Sequence, residues 1–314
     1  MLDHRQTADQ AAYRATPHRP NRRSTLLGLA TLGLLPACND GQRLDETVPE
    51  AALTDPIIDI EDATGGRIGV AAINLTTGER FTHRSGERHA MCSAFKWLLA
   101  ALVLRRVERE QESLTRLVRY TAEDIVSYSP VTQPRIDTGM TVSDLCAAAV
   151  STSDNTATNL LLATLGGPEG FTAQIRELGD TTTRLDRWEP ALNENAEGDP
   201  RDTTTPDAML DLMARLLFAD ALTPPSQETL RGWMIEASTG LQRLRAGLPT
   251  DWIAGDKTGT STNDQSNDVA FAIDPTGATG PLLIVSFLNV PEPMSDERNF
   301  AHAAIARELV NRLV

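Results

Sequence analysis

Two side chains with complementary chemistry lie three residues apart in Met91-Cys92-Ser93-Ala94-Phe95-Lys96, at the mouth of an apolar helix expected over 97–107. Residues i and i+3 share a helix face, so the Lys96 amine is expected within hydrogen-bond reach of the Ser93 hydroxyl. A serine hydroxyl is a weak nucleophile until a neighbouring base or cation draws off its proton. The Ser93 backbone N–H, close to a helix N-terminus, could then help to hold a developing oxyanion.

Ser-x-x-Lys alone is common, and lysine usage is what sharpens it. Of 29 Lys and Arg residues only Lys96 and Lys257 are lysine. A chain this biased toward arginine keeps lysine where guanidinium cannot serve, because an amine can lose its proton when buried and its ammonium is a compact point charge. Three further clusters can face Ser93. Ser153-Asp154-Asn155 opens a helix and offers a second hydroxyl as proton shuttle and an amide as donor. Arg187-Trp188-Glu189-Pro190-Ala191-Leu192-Asn193 lies in a polar stretch, 181–205, too long for an ordinary connection and therefore expected to be functional. Lys257-Thr258-Gly259-Thr260 ends a strand, where a residue without a side chain would let a substrate lie against the strand edge.

The elements that must position these groups can be read from periodicity. Strand character over 67–75, a turn at 76–79 and a return over 80–83 make a hairpin. From Ser93 to about Thr239 the pattern is helical, with helices expected over 142–150, 156–165, 168–178, 206–218 and 226–237. Short β-type runs return at 252–256, 269–273 and 282–288, and an amphipathic helix over 297–313 closes the chain. Strands at both ends with helices between imply an α+β fold. One antiparallel sheet is built from both termini and flanked by helices, with an all-helical lobe inserted and a cleft between the lobes. The expected division is an α/β lobe of about 57–86 and 240–314 and a helical lobe of about 87–239.

A formal charge of −14 argues against nucleic acid as a partner and against general attraction to anionic membranes, so an anionic substrate must be drawn by local cations. Residues 1–38 read as an export signal rather than as fold. Asn21-Arg22-Arg23-Ser24-Thr25-Leu26-Leu27 looks like a twin-arginine signal, and the apolar run 24–35 is too short to span a bilayer. Leu35-Pro36-Ala37-Cys38 resembles a bacterial lipobox, which would acylate Cys38. Cleavage near Ala37 and release into the periplasm is the competing reading. Residues 39–56 are a polar tether merging into a first helix, with Leu44 and Val48 four residues apart. Cys92 and Cys146 are expected as reduced thiols, with Cys92 a small buried packing residue beside Ser93.

Taken together, Ser93-x-x-Lys96, Ser153-Asp154-Asn155, the Glu189 loop and Lys257-Thr258-Gly259 resemble the motifs of the class A serine β-lactamases, in order and in separation, over the chain from Arg67 onward. The resemblance implies hydrolysis of β-lactam antibiotics, and so resistance to them, with no cofactor or metal; His83, His89 and His302 show no ligand spacing. Ser93 would attack the lactam carbonyl, with Lys96, or Glu189 through a water held also by Asn193, as the base. Backbone N–H groups of Ser93 and Thr260 would form the oxyanion hole, and Ser153, beside Lys257, would pass a proton to the departing nitrogen. Glu189 would finally drive a catalytic water onto the acyl ester. That glutamate separates the family from penicillin-binding DD-peptidases and from one-turnover sensors, the alternative readings.

Further residues match by the same resemblance. Arg187 and Asp202 would pair at the loop neck, Asn155 would contact substrate, and Tyr128 would wall the cleft. Lys257, Thr258, Thr260 and Arg243 would hold the substrate carboxylate, while Ser266 and Asn299 stand where other members carry an arginine. Ala100 stands where some members bridge to the equivalent of Cys146, and Ser261 where some bridge to that of Cys92. A monomer is expected.

Overall fold

The computed structural model describes residues 55–314 apart from 195, 262–263 and 292–294, and leaves out the side chain of Ser295. Residues 1–38, read above as an export signal, Cys38 among them, and the Leu44 and Val48 pair lie outside the described residues. The first helix, α1 (Pro56–Thr64), is opened by Asp55, whose side chain accepts from Ile57 N, with proline in the first turn. There follow β1 (Arg67–Asn74), β2 (Arg80–His83), β3 (His89–Ala90), a single 3-10 turn at Cys92–Phe95, and α2 (Lys96–Glu108). Next come β4 (Leu117–Val118), β5 (Met140–Thr141), α3 (Val142–Ser151), α4 (Asn155–Leu165), α5 (Gly167–Glu177) and β6 (Thr203–Thr204). The chain closes with α6 (Pro206–Leu217), α7 (Pro224–Ile235), β7 (Ile253–Thr260), β8 (Gln265–Ile273), β9 (Leu282–Asn289) and α8 (Ser295–Leu313).

The large sheet runs β2-β1-β9-β8-β7, antiparallel throughout, so β1 from one end of the chain lies against β9 from the other. Strand side chains alternate between faces, and both faces are covered. Ile68, Val70, Ala72, Ala270, Leu282 and Ile284 join α1 and α8 in one core. Ala71, Val269, Phe271, Leu283, Val285 and Phe287 face the helical core on the other side. In that second core α2 is buried all round from Lys96 to Leu104, which is why its sequence shows no polar face.

The strands extend further than the apolar runs suggest. β7 and β8 include Asp256, Lys257, Thr258, Asn267 and Asp268, all buried. The helical stretch also holds two short ribbons, β3 with β6 and β4 with β5, each too brief to leave a pattern.

Two buried carboxylates hold the segments that carry the candidate site. Asp154 caps α4 through Ala157 N at 2.8 Å. It also accepts from Val131 N, Thr132 N and Thr132 Oγ1 at 2.8–2.9 Å, fixing the segment around Tyr128. Asp202 closes the neck of the long loop, accepting from Arg187 Nε at 2.5 Å and from the backbone N–H of Asp186 and Arg187 at 2.7 and 3.0 Å. Its own backbone carbonyl accepts from Met91 N at 2.9 Å.

Asp154→Ala removes four acceptor contacts at a fully buried site and is expected to lower stability by about 3 kcal/mol, whereas Asp154→Asn loses less. Urea unfolding measures this, and equal loss in the two variants would contradict the cap as its cause. Arg187→Ala should speed amide exchange across residues 186–202 by about tenfold while sheet amides stay unchanged, because the remaining Asp202 carboxylate is left buried and uncompensated. Uniform acceleration over the whole chain would show that the pair supports the global fold instead.

Candidate active site

Ser93 sits in the 3-10 turn that precedes α2, and four hydrogen bonds fix that turn. Met91 N is tied to Asp202 as above, Met91 O accepts from Ala94 N at 3.0 Å, and Asn267 Nδ2 on β8 donates to Ala90 O and Met91 O at 2.8 and 3.1 Å. The requirement at Gly259 differs from the sequence expectation. A Cβ there would come within 2.4 Å of Met91 O and 2.9 Å of Ala94 N, so the missing side chain lets the strand lie against the nucleophile turn rather than against a ligand. Cys92, with φ 47°, is buried in the same turn, and Cys146 is a second buried thiol.

Lys96 and Ser93 meet at one oxygen, Glu189 Oε1, and not in the direct hydrogen bond that the i,i+3 spacing suggests. The Lys96 Nζ pairs with Glu189 Oε1 at 2.9 Å, both side chains being fully buried, and donates to Asn155 Oδ1 at 2.5 Å and Ser153 O at 2.9 Å. The reason is local: the serine lies in a tighter 3-10 turn, and three oxygens gather around the amine from α4 and the loop. The Ser93 hydroxyl instead donates to Glu189 Oε1, at 3.4 Å. Glu189 Oε2 accepts from Asn193 Nδ2 at 2.7 Å.

Ser153, held in a left-handed conformation with φ 62°, turns its hydroxyl between two amines. Lys96 Nζ lies 3.3 Å away and Lys257 Nζ 3.2 Å away. Burial pushes the Lys96 amine down, and the Glu189 carboxylate pulls it back up. Burial, reinforced by the Lys96 charge, lowers Lys257 to about 7. That places a titrating cation beside the Ser153 hydroxyl.

The cleft holds about 620 Å³ and is lined by Ser93, Tyr128, Ser153, Asn155, Asn193, Arg243, Thr258 and Thr260, with Ser127, Thr239, Pro190, Glu194 and Ser261. Lys96, Lys257 and Glu189 are buried around it, and Arg187 and Asp202 stand at the loop neck. β7 is an edge strand. Ser261 N donates to Gln265 O, so the odd-numbered residues of β7 pair with β8 and the Thr260 N–H faces the cleft. Tyr128 is 60% exposed at the cleft wall.

Arg243 reaches the same strand edge. Its guanidinium donates to Thr260 Oγ1 and Asn267 O at 2.7 Å, to Asn299 Oδ1 at 3.2 Å and to Gly259 O at 3.3 Å. Asn299, on α8, thus braces the arginine. Ser266 is sealed against His302 Nε2 at 3.1 Å.

Asn159 escaped the sequence reading. It lies one turn beyond Asn155 on α4, and its amide exchanges two hydrogen bonds with the Glu189 backbone, 2.9 Å to O and 3.0 Å from N. The i,i+4 spacing of two asparagines was the available signal.

The chain matches the family model described as the Beta-lactamase enzyme family over residues 52–313. Beta-lactamase AST-1 of Nocardia asteroides is 41% identical over 309 residues, 96% of this chain and 99% of that protein. Beta-lactamase FAR-1 of Nocardia farcinica is 44% identical, covering 81% and 80% of the two chains. Among solved structures, the last common ancestor of Gram-negative bacteria class A β-lactamase superposes with a TM-score of 0.81 at 49% identity, covering 84% of this chain and all of that one. The putative class A β-lactamase PenP from Rhodopseudomonas palustris gives 0.80 at 46%, covering 83% and 99%. The Ser93 turn, the buried Lys96–Glu189 pair and the Lys257 strand edge thus stand in a chain that belongs to the beta-lactamase enzyme family, as a class A serine β-lactamase.

Proposed function

We propose that the chain hydrolyses β-lactams by acyl transfer from the ring amide to Ser93 and from Ser93 to water. The observation that carries this reading is the Glu189 carboxylate, whose Oε1 faces both Lys96 Nζ and Ser93 Oγ while Oε2 is held by Asn193. Glu189 accepts the Ser93 proton as the hydroxyl attacks. Lys96, surrounded by acceptors, supports that step as a cation. The carbonyl oxygen becomes an oxyanion between the N–H groups of Ser93 and Thr260, where fixed donors face developing charge. As the C–N bond breaks, Ser153 protonates the ring nitrogen and is reprotonated from the lysine side. Lys96 supplies that proton and recovers the one that Glu189 took from Ser93 across their 2.9 Å contact, so Glu189 is again a carboxylate. With Asn193 it then orients a water and takes its proton; the water adds to the ester, and Ser93 leaves with that proton returned to its Oγ.

Recognition of the substrate carboxylate falls to Thr258, Thr260, Lys257 and Arg243, with Asn155 and Tyr128 along the rest of the ligand. Residues 1–38 are proposed to direct export to the cell envelope, with Cys38 as the candidate lipid anchor. The mature chain is proposed to work as a monomer. The Arg22-Arg23 motif and the run ending in Ala37-Cys38 support the first of these.

Glu189→Gln should lower turnover of a chromogenic cephalosporin by about 10³-fold and leave an acyl adduct visible in intact mass, while the parent turns over repeatedly without one. A stable adduct on the parent would make the chain a penicillin-binding protein or sensor. The pH dependence carries a sign as well. Because burial depresses Lys257 to about 7, it keeps its proton below that pH and loses it above, so kcat/KM for a penicillin should fall as pH rises past about 7. A bound carboxylate raises the same amine, which moves the corresponding limb in kcat to higher pH. A flat profile from pH 6 to 9 would remove Lys257 from that role.

A further inference from the structure

Arg243 reaches the cleft from a segment that has few reasons of its own to be there. It is half-buried, burial presses its guanidinium down from the usual range, and its four acceptors, named above, are all uncharged. The buried Asp268 and Asp256 favour its charge without bonding to it, and its position follows from the backbone from Gly240 to Gly247. Gly240 lies over Asp256, where a Cβ would fall 1.9 Å from Oδ2, and Arg243 N returns to Gly240 O at 2.9 Å. Leu244 is fully buried in the α8 core, and Gly247 is pressed against Ala303 O and the Ala306 side chain of α8. Between these points one side chain grips the backbone: Asp268 Oδ2 accepts from Leu244 N at 3.0 Å.

Asp268 is fully buried on β8, opposite Thr258 on the strand that forms the carboxylate edge, and shares a sheet face with Asp256. Asp256 is already paired with Arg245 at 2.5 Å. A buried carboxyl is costly, and ordinary packing would place an apolar residue at this point of a strand. Burial and the neighbouring Asp256 raise the Asp268 carboxyl well above its ordinary range and favour the neutral acid, which still accepts the Leu244 bond.

We propose that Asp268 is a positioning residue for substrate recognition: by holding Leu244 N it fixes the residue before it, Arg243, against Thr260, where the guanidinium meets the substrate carboxylate. This rests on the carboxylate-binding reading of Arg243 given above. Asp268 touches no substrate and acts only through the neighbouring arginine.

The test compares the full mature chain with Asp268→Val, Asp268→Asn, Arg243→Ala and the Val/Ala double variant, on a penicillin and on its methyl ester. Valine is an apolar strand residue of comparable size that removes the acceptor, and asparagine keeps both the shape and the acceptor without the charge. Asp268→Val should raise KM for the acid about tenfold with kcat within about twofold, leave the ester unaffected, and add nothing to Arg243→Ala. Asp268→Asn should remain within about twofold of the parent. Where Asp268→Val is insoluble, Asp268→Ser, whose hydroxyl is too short to reach Leu244 N, takes its place.

Loss of kcat on acid and ester alike, additivity with Arg243→Ala, or an asparagine variant as impaired as valine would each overturn the proposal. If Arg243→Ala itself leaves KM for the acid unchanged, the underlying reading of Arg243 fails instead. A rise with Arg243→Ala and none with Asp268→Val sinks the Asp268 role alone.

Discussion

A fully buried ion pair, Lys96 with Glu189, is the constraint around which the structure is arranged. Removing two charges from water costs several kcal/mol per ion, and their attraction offsets this only when the remaining lone pairs and protons are satisfied. The fold supplies those partners from two stretches, the start of α4 and the long loop. α4 contributes Asn155 and, through Asn159, the backbone grip on Glu189; the residue before its cap contributes the Ser153 carbonyl; the loop contributes Asn193. Each partner fixes an element in place. Helix, loop and nucleophile turn are therefore held in one geometry by the need to satisfy two charges, and that geometry is also what acyl transfer requires.

The second organising fact is the sheet's edge. β7 has no neighbour on its outer side, so its free N–H groups, its buried lysine and its threonine hydroxyls face the cleft. An unpaired edge is ordinarily an aggregation hazard. Here the nucleophile turn packs directly on the strand at Gly259, where a side chain would collide with the Met91 carbonyl.

Much of this is legible in the order of residues. Ser93, Lys96, Ser153, Glu189 and Lys257 announce themselves because nucleophile, amine and carboxylate recur at family spacing in a chain that otherwise avoids lysine. The sheet built from both ends follows from where β-type runs fall. What stays hidden is relational. The i,i+4 spacing from Asn155 puts Asn159 on the same helix face but does not show that it grips the Glu189 backbone, and no local pattern shows that Asp268 lies beside the backbone of Leu244. Cys92, Tyr128, Ser153 and Asp202 adopt left-handed backbone conformations without being glycine, so the residue that would signal such a turn is missing. The hydrogen-bond partners of Lys96 differ from expectation for a related reason: a helical template assumes a regular turn, and Cys92–Phe95 is tighter than that.

Asp202 serves two segments at once. Its carboxylate closes the loop that carries Glu189, and its carbonyl receives the N–H of Met91, two residues before the nucleophile. The two reacting partners are thus tied to one shared pin, in addition to the separate holds that Asn267 has on the turn and Asn159 on Glu189, and the pin couples the gap between them to one residue's conformation. Sequence drift in the exposed outer arc of the loop, 196–201, can then proceed without moving that gap. Drift at the pin cannot, and the fold confines its evolutionary freedom to the side of the loop that faces away from the chemistry.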